Sequence, residues 1–182
     1  MKQAQTSDLI YSFSPIVDEN SRILILGTAL KNNPFGKEEY YAHSKNVIWK
    51  IIASICHCPN PRTYSDKMHL LKKTQIALWD ICYCYDKKKN HLDKTIKNVI
   101  PNEIPALLRK YPNIEVIAFN GRASRMMYDK YFKRYENITY TFLYSSNSAN
   151  TYSSASKLAT WLELVKYMNE KIKNPPRPLN YF

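Results

Sequence analysis

The chain has 182 residues, enough for one ordinary domain with its own core and thin for two. Hydrophobic residues make up 45% of it, too many for a disordered chain, and no run approaches the roughly 18 consecutive apolar residues of a membrane-spanning helix. Lys and Arg number 27 against 15 Asp and Glu, a formal charge of +12, an excess that suits a polyanionic partner. The first eight residues carry no apolar signal core, and four cysteines in a chain this long do not make a secreted disulfide framework. A soluble, cytoplasmic, monomeric protein with reduced thiols is expected.

In chain order, residues 22–26 form the first apolar, β-branched run and read as a strand buried on both faces. Val47, Ile48, Ile51, Ile52 and Ile55 then fall on one stripe at helical spacing. A shorter helix carrying Met68 and Leu71 opens after Ser65. Residues 76–81 read as a second strand, 102–110 as a short helix and 114–119 as a third strand. Ala123, Met126, Met127 and Phe132 mark a helix after Gly121, and residues 138–143 a fourth strand. Leu158, Trp161, Leu162, Val165, Met168 and Ile172 give the longest stripe. The tail, residues 174–182, reads as extended. Alternating strands and helices predict one domain over residues 1–182, a three-layer α/β/α sandwich around a central, mainly parallel four-stranded sheet.

In such folds ligands bind outside the carboxyl ends of the strands. Those ends carry Gly27-Thr28-Ala29, Asp80, Asn120-Gly121 and residues 144–150. All are small or polar, and two of the three glycines in the chain lie among them. Fifteen tyrosines and three tryptophans add flat faces on which unstacked bases can rest.

These segments resemble a known family. Gly27-Thr28-Ala29 closing a strand, residues 40–49 (Tyr-Tyr-Ala-His-Ser-Lys-Asn-Val-Ile-Trp), Ile76-Ala-Leu-Trp-Asp80, Phe119-Asn120-Gly121, Ser145-Ser-Asn-Ser-Ala-Asn150 and Lys157-Leu-Ala-Thr-Trp161 are together similar to the motif regions of the uracil-DNA glycosylase superfamily, and within it to the hypoxanthine (deoxyinosine) DNA glycosylases. The chain departs from that pattern at Leu30, Ser44 and Ser148, where proline is usual. It departs again at Ala29, where mismatch-specific members hold the attacking water with an asparagine.

The resemblance implies a base-excision enzyme that flips a deaminated base out of duplex DNA and hydrolyses its glycosidic bond without cutting the strand. Hypoxanthine is the expected base. Uracil or a G·T or G·U mismatch is the alternative substrate, and a catalytically inactive nucleic-acid-binding module the alternative function. Asn46 inherits the water-positioning role; read from its residues alone, it is equally a helix-capping or loop-bracing asparagine. Tyr41 corresponds to the aromatic on which the flipped base stacks, or else is a core tyrosine. His43 is expected to be a structural hydrogen-bonding residue. Asp80 stands where uracil-specific relatives read the base edge with asparagine. An ionised carboxylate only accepts hydrogen bonds, so it would take the N1–H of hypoxanthine and reject adenine, whose N1 is itself an acceptor. Capping a turn or pairing with a lysine is its structural alternative. Thr28 and Asn120 complete the base pocket, although Asn120-Gly121 also suits a plain strand-to-helix turn. Ser145, Ser146, Asn147, Ser148 and Asn150 form the loop expected to press on the DNA strand, or else a polar surface loop. The pairs Cys56/Cys58 and Cys82/Cys84 have one intervening residue each, closer than zinc sites prefer. No metal and no cofactor are expected.

Overall fold

The computed structural model describes residues 9–29, 39–86, 97–147 and 152–168. Its centre is a four-stranded, wholly parallel sheet of β2 (Ile23–Gly27), β3 (Ile76–Asp80), β6 (Val116–Asn120) and β7 (Thr139–Leu143), in the order β3-β2-β6-β7. These are the four sequence-predicted strands, shifted by no more than two residues at either end. Among the described residues, five helices join and cover them: α1 (Ile48–Ile55), α2 (Tyr64–Thr74), α3 (Ile104–Lys110), α4 (Arg122–Tyr131) and α5 (Ser154–Leu162).

The sheet separates two cores. Side chains alternate across each strand, so Ile23, Ile25, Leu78, Val116 and Ala118 pack with Ile48, Ile51 and Ile52 of α1, Leu70 and Leu71 of α2, and Trp161 of α5. On the opposite face Leu24, Leu26, Ile117 and Phe119 meet Ile104 and Leu107 of α3 and Tyr128 of α4. Every residue of β2 is buried, which explains its unbroken apolar run. Local signals fix the connections. Thr63 caps α2 in a reciprocal pair with Asp66, so the helix starts two residues before the expected opening after Ser65, and Gln75 in the left-handed conformation (φ 58°) ends it and turns the chain straight into β3. Ser153 caps α5.

Two expectations need correction. The stripe running to Ile172 is not one helix: α5 stops at Leu162, a 3₁₀ turn covers Val165–Tyr167, and Met168 is buried. Ile172 and the tail lie outside the described residues. The second correction is a three-stranded antiparallel sheet that the sequence pattern did not announce, β1 (Leu9–Tyr11), β4 (Cys82–Asp86) and β5 (Lys97–Pro101), in the order β1-β4-β5. β4 follows β3 after the single residue Ile81. The Cys-Tyr-Cys spacing there is strand alternation, with Cys82 and Cys84 buried and Tyr83 exposed. Cys56 ends α1, a different element, with its Sγ 3.4 Å from Met168 Sδ. Burial pushes the Cys56 and Cys82 thiols up to about 12. Among the described residues no group of three or more His, Cys, Asp or Glu could hold a metal ion, and no helix is long and apolar enough to cross a membrane.

Trp161 is fully buried in the first core, and its indole Nε1 donates to the Tyr144 carbonyl at 3.0 Å. Trp161→Ala is expected to lower the unfolding free energy by about 3–5 kcal/mol, the range for emptying a buried aromatic site. Guanidinium denaturation measures it; a loss of less than about 1 kcal/mol would show that α5 is not a fixed part of the core.

Candidate functional site

Parallel strands in register end level with one another, and that edge is where the singled-out residues meet. Gly27 pairs with Asp80 across β2 and β3, and Asn120 with Leu143 across β6 and β7. The edge therefore presents Gly27, Asp80 and Asn120 side by side, with residues 144–147 leaving β7 above them.

Asp80 is buried, only 4% exposed. A Cβ placed on Gly27 would lie 2.2 Å from Asp80 Oδ1 and 3.1 Å from Tyr41 Oη. The carboxyl group thus occupies the space that any other residue at position 27 would fill. No hydrogen bond or ion pair reaches its oxygens among the described residues, so neither of the structural alternatives, a capped turn or a lysine pair, is present there. Burial without compensation raises its pKa to about 7. In the same field, Asp80 helps burial raise the Tyr40, Tyr41 and Tyr85 hydroxyls and the Cys82 thiol.

The two adjacent tyrosines play different parts. Tyr40 is a core residue whose hydroxyl donates to the Phe13 carbonyl at 3.1 Å, while its ring meets Phe13 edge-on. Tyr41 is half-buried and adopts φ 54°, a left-handed backbone that costs a bulky residue energy and persists only where its surroundings enforce it. Its hydroxyl accepts from Asn120 Nδ2 at 3.2 Å.

Asn46 precedes α1, two residues before its first residue. Its Oδ1 accepts from the Ile48 backbone N–H at 3.0 Å, and its own N–H donates to the His43 carbonyl at 2.8 Å. The loop-bracing role is therefore present, one residue ahead of the helix cap at Val47, which has no side-chain cap bond. The brace uses one lone pair of Oδ1, leaving the second lone pair and the amide NH₂ for other partners. His43 braces this turn, accepting also from Lys45 N at Nδ1.

The loop after β7 is not a uniform polar surface. Ser146 is fully buried; its carbonyl accepts from Val47 N at 3.1 Å, and its N–H and Oγ both bond Asn120. Ser145 is half-buried and Asn147 exposed. Ser148 and Asn150 lie outside the described residues. Thr28 is half-buried, and its carbonyl accepts from Cys82 N at 3.0 Å. The parts played by two residues were not evident from sequence. Gly27 stood out only as a strand end, although glycine is scarce enough in this chain to have pointed to a close approach. Lys157 is 6% exposed and donates to the Asn147 carbonyl at 3.1 Å, whereas its residue type suggests a solvated lysine. A neighbouring groove of about 400 Å³ is lined by residues 12–16, Tyr40 and Tyr64.

Comparison with known proteins places this architecture. The uracil DNA glycosylase superfamily profile matches residues 14–169. A protein of Methanosarcina barkeri named hypoxanthine DNA glycosylase is 32% identical over 155 residues, covering 85% of this chain and 96% of its own length. A protein of the same name from Methanosarcina acetivorans is 28% identical over 158 residues, covering 85% and 97%. A solution NMR structure of a candidate uracil DNA glycosylase from Methanosarcina acetivorans superposes with a TM-score of 0.74 at 26% identity, covering 86% of this chain and 98% of that one.

The Asp80 carboxyl has a stability signature. Its folded pKa of about 7 lies above the roughly 3.9 of an unfolded aspartate. Between those values the folded state binds the extra proton, so this group makes stability fall as pH rises from about 4 to 7 and leaves it at the lower level above. Asp80→Asn cannot ionise. It is expected to melt several degrees above the unsubstituted protein at about pH 8 and to lose most of that advantage near pH 5. Thermal melts at the two pH values measure it, and a gap independent of pH would refute the uncompensated carboxylate.

Proposed function

This chain belongs to the uracil DNA glycosylase superfamily, and we propose that within it the protein is a monofunctional base-excision glycosylase, acting as a monomer in the cytoplasm on deoxyinosine in duplex DNA. The observation that carries the reading is Asp80, a buried carboxyl group at the end of a central strand, lodged against Gly27 and without a compensating cation among the described residues. A fold gains nothing from such a group, whereas a base pocket does. The name borne by the relatives in both Methanosarcina species supports the choice of base.

The reaction asks for three things. The nucleotide must leave the stack, at a cost of a few kcal/mol that is smaller for a mispaired base. Lys45, next to Asn46, and Arg122, two residues beyond Asn120, are exposed at the rim and suit the phosphates; Ser145, Asn147, Ser148 and Asn150 would press on the strand. The extruded base must then be held. Tyr41 offers its ring, Thr28 and Asn120 the walls, and Asp80, in the ionised form that predominates above its pKa of about 7, accepts the N1–H of hypoxanthine while repelling the N1 lone pair of adenine. Last, water must attack C1′ as the C1′–N9 bond breaks, the electron pair leaving with the base and the water proton passing to it. Asn46, with one lone pair and an NH₂ beyond its bond to Ile48 N, orients that water. No residue here is cast as an amine nucleophile, so strand cleavage is not expected.

Asn46 also favours the rival, a binding module without catalysis, because its one observed side-chain bond is structural. The two separate cleanly. Labelled duplexes containing inosine, uracil, xanthine or a G·T mismatch, treated with protein and then alkali, report excision, and inosine is expected to lead. Asn46→Ala should lower both stability, by about 1 kcal/mol, and single-turnover rate, by roughly a hundredfold. Asn46→Ser, which keeps a side-chain oxygen for the bond to Ile48 N, should regain the stability and not the rate. Excision of no base would overturn the glycosylase reading, and an Asn46→Ser variant at full rate would remove Asn46 from the chemistry.

A further inference from the structure

We propose that Asn120 is a positioning residue: a junction that ties the Tyr41 ring to the loop after β7 and makes the two move as one unit when DNA is engaged. Its side chain makes three bonds. Nδ2 donates to Tyr41 Oη at 3.2 Å and to Ser146 Oγ at 3.0 Å, and Oδ1 accepts from Ser146 N at 2.9 Å. Both amide protons are thereby consumed, so Asn120 reaches a flipped base through the residues it holds. This deepens the role of pocket wall given to it above, and its functional part rests on the glycosylase reading.

The partners are far apart in the chain, 79 and 26 residues from Asn120. The backbone closes the circuit a second time, since Val47 N donates to the Ser146 carbonyl at 3.1 Å. Four points are thus linked: the Tyr41 ring, the end of β6, the loop after β7 and the turn holding Asn46. Packing reinforces the links. Gly121, at φ 102°, lets the chain swing from β6 into α4, and a Cβ there would lie 3.0 Å from Ser145 Cβ. The loop therefore seats against the backbone beside the junction. Tyr41 needs such support because its left-handed backbone is unfavourable by itself. Asparagine suits this junction because a short amide supplies two donors and an acceptor from one rigid plane, which neither a carboxylate nor a hydroxyl provides.

The consequence is non-additivity. Residues in one hydrogen-bond network couple, whereas separate sites add. Asn120→Leu, similar in size and without polar atoms, is expected to slow single-turnover excision from inosine DNA by about tenfold or more, with undamaged-duplex affinity changed by less than about twofold. Fluorescence of a 2-aminopurine beside the inosine, which rises on unstacking, should fall in parallel. Tyr41→Phe should slow the unsubstituted enzyme but have little added effect in Asn120→Leu. Thr160→Val provides the contrast. Thr160 Oγ1 accepts from Tyr144 N at the base of the same loop, outside the circuit, so its effect should add to that of Tyr41→Phe. Additive Tyr41→Phe and Asn120→Leu effects, in a protein that excises inosine, would overturn the junction and leave the glycosylase reading intact. If no base is excised, that reading falls first, and the same cycle on the denaturation midpoint decides whether the junction exists: additivity there overturns it too.

Discussion

A carboxyl group taken out of water is expensive, and the carboxyl edge of this sheet is arranged around one that has no cation beside it among the described residues. Asp80 fits there because parallel register sets it beside Gly27, whose missing Cβ is the space its Oδ1 occupies. Tyr41 stands over the same point. Fully buried strands and helices on both faces keep β2 and β3 from shifting to relieve the contact. The two cores thus do more than stabilise: they hold an unfavourable group in place.

Strain and burial occur together at this edge. Tyr41 carries the left-handed backbone, Asp80 the raised pKa, and Asn120 and Ser146 the bonds that keep both loops in position. A chain selected for stability alone would relax each of these features, and their coincidence at one edge points to that edge and not to the other end of the sheet. The second, antiparallel sheet contributes by anchorage. Asn102 Nδ2 donates to the Asp80 carbonyl at 2.8 Å and to Ser12 Oγ at 3.0 Å, stitching the start of β4 and the N-terminal segment to the back of the aspartate.

Much of this was legible in the sequence, for physical reasons. Parallel strands buried on both faces need runs rich in apolar and β-branched residues, so residues 22–26 and 114–119 declared themselves. Helices that cover them need apolar stripes at a fixed period, so α1 did as well, whereas α4 was located by the wrong residues: Ala123 and Met126 are exposed, Phe132 lies past its end, and the face it buries is Ser124 and Tyr128. The carboxyl-edge rule then gathered Gly27, Asp80, Asn120 and residues 145–147 from their order along the chain. What escaped lacks a local signature. β1 has three residues, and β4 reads as Cys-Tyr-Cys-Tyr, where period-two alternation and a cysteine pair look alike. The long stripe through Ile172 kept its apolar period past Leu162, although the chain there turns into a 3₁₀ segment.

Residue types and their order thus determined the fold class, the edge that carries the site and the kinds of side chain at it. Tertiary structure decided the roles. Whether Asp80 is paired, whether Ser146 faces solvent or Asn120, and whether Lys157 is solvated or holds the Asn147 carbonyl all depend on partners distant in the chain. Periodicity records which face of an element is apolar. It carries no information on which polar groups from other elements arrive within about 3 Å, because that distance is set by how whole strands and helices pack.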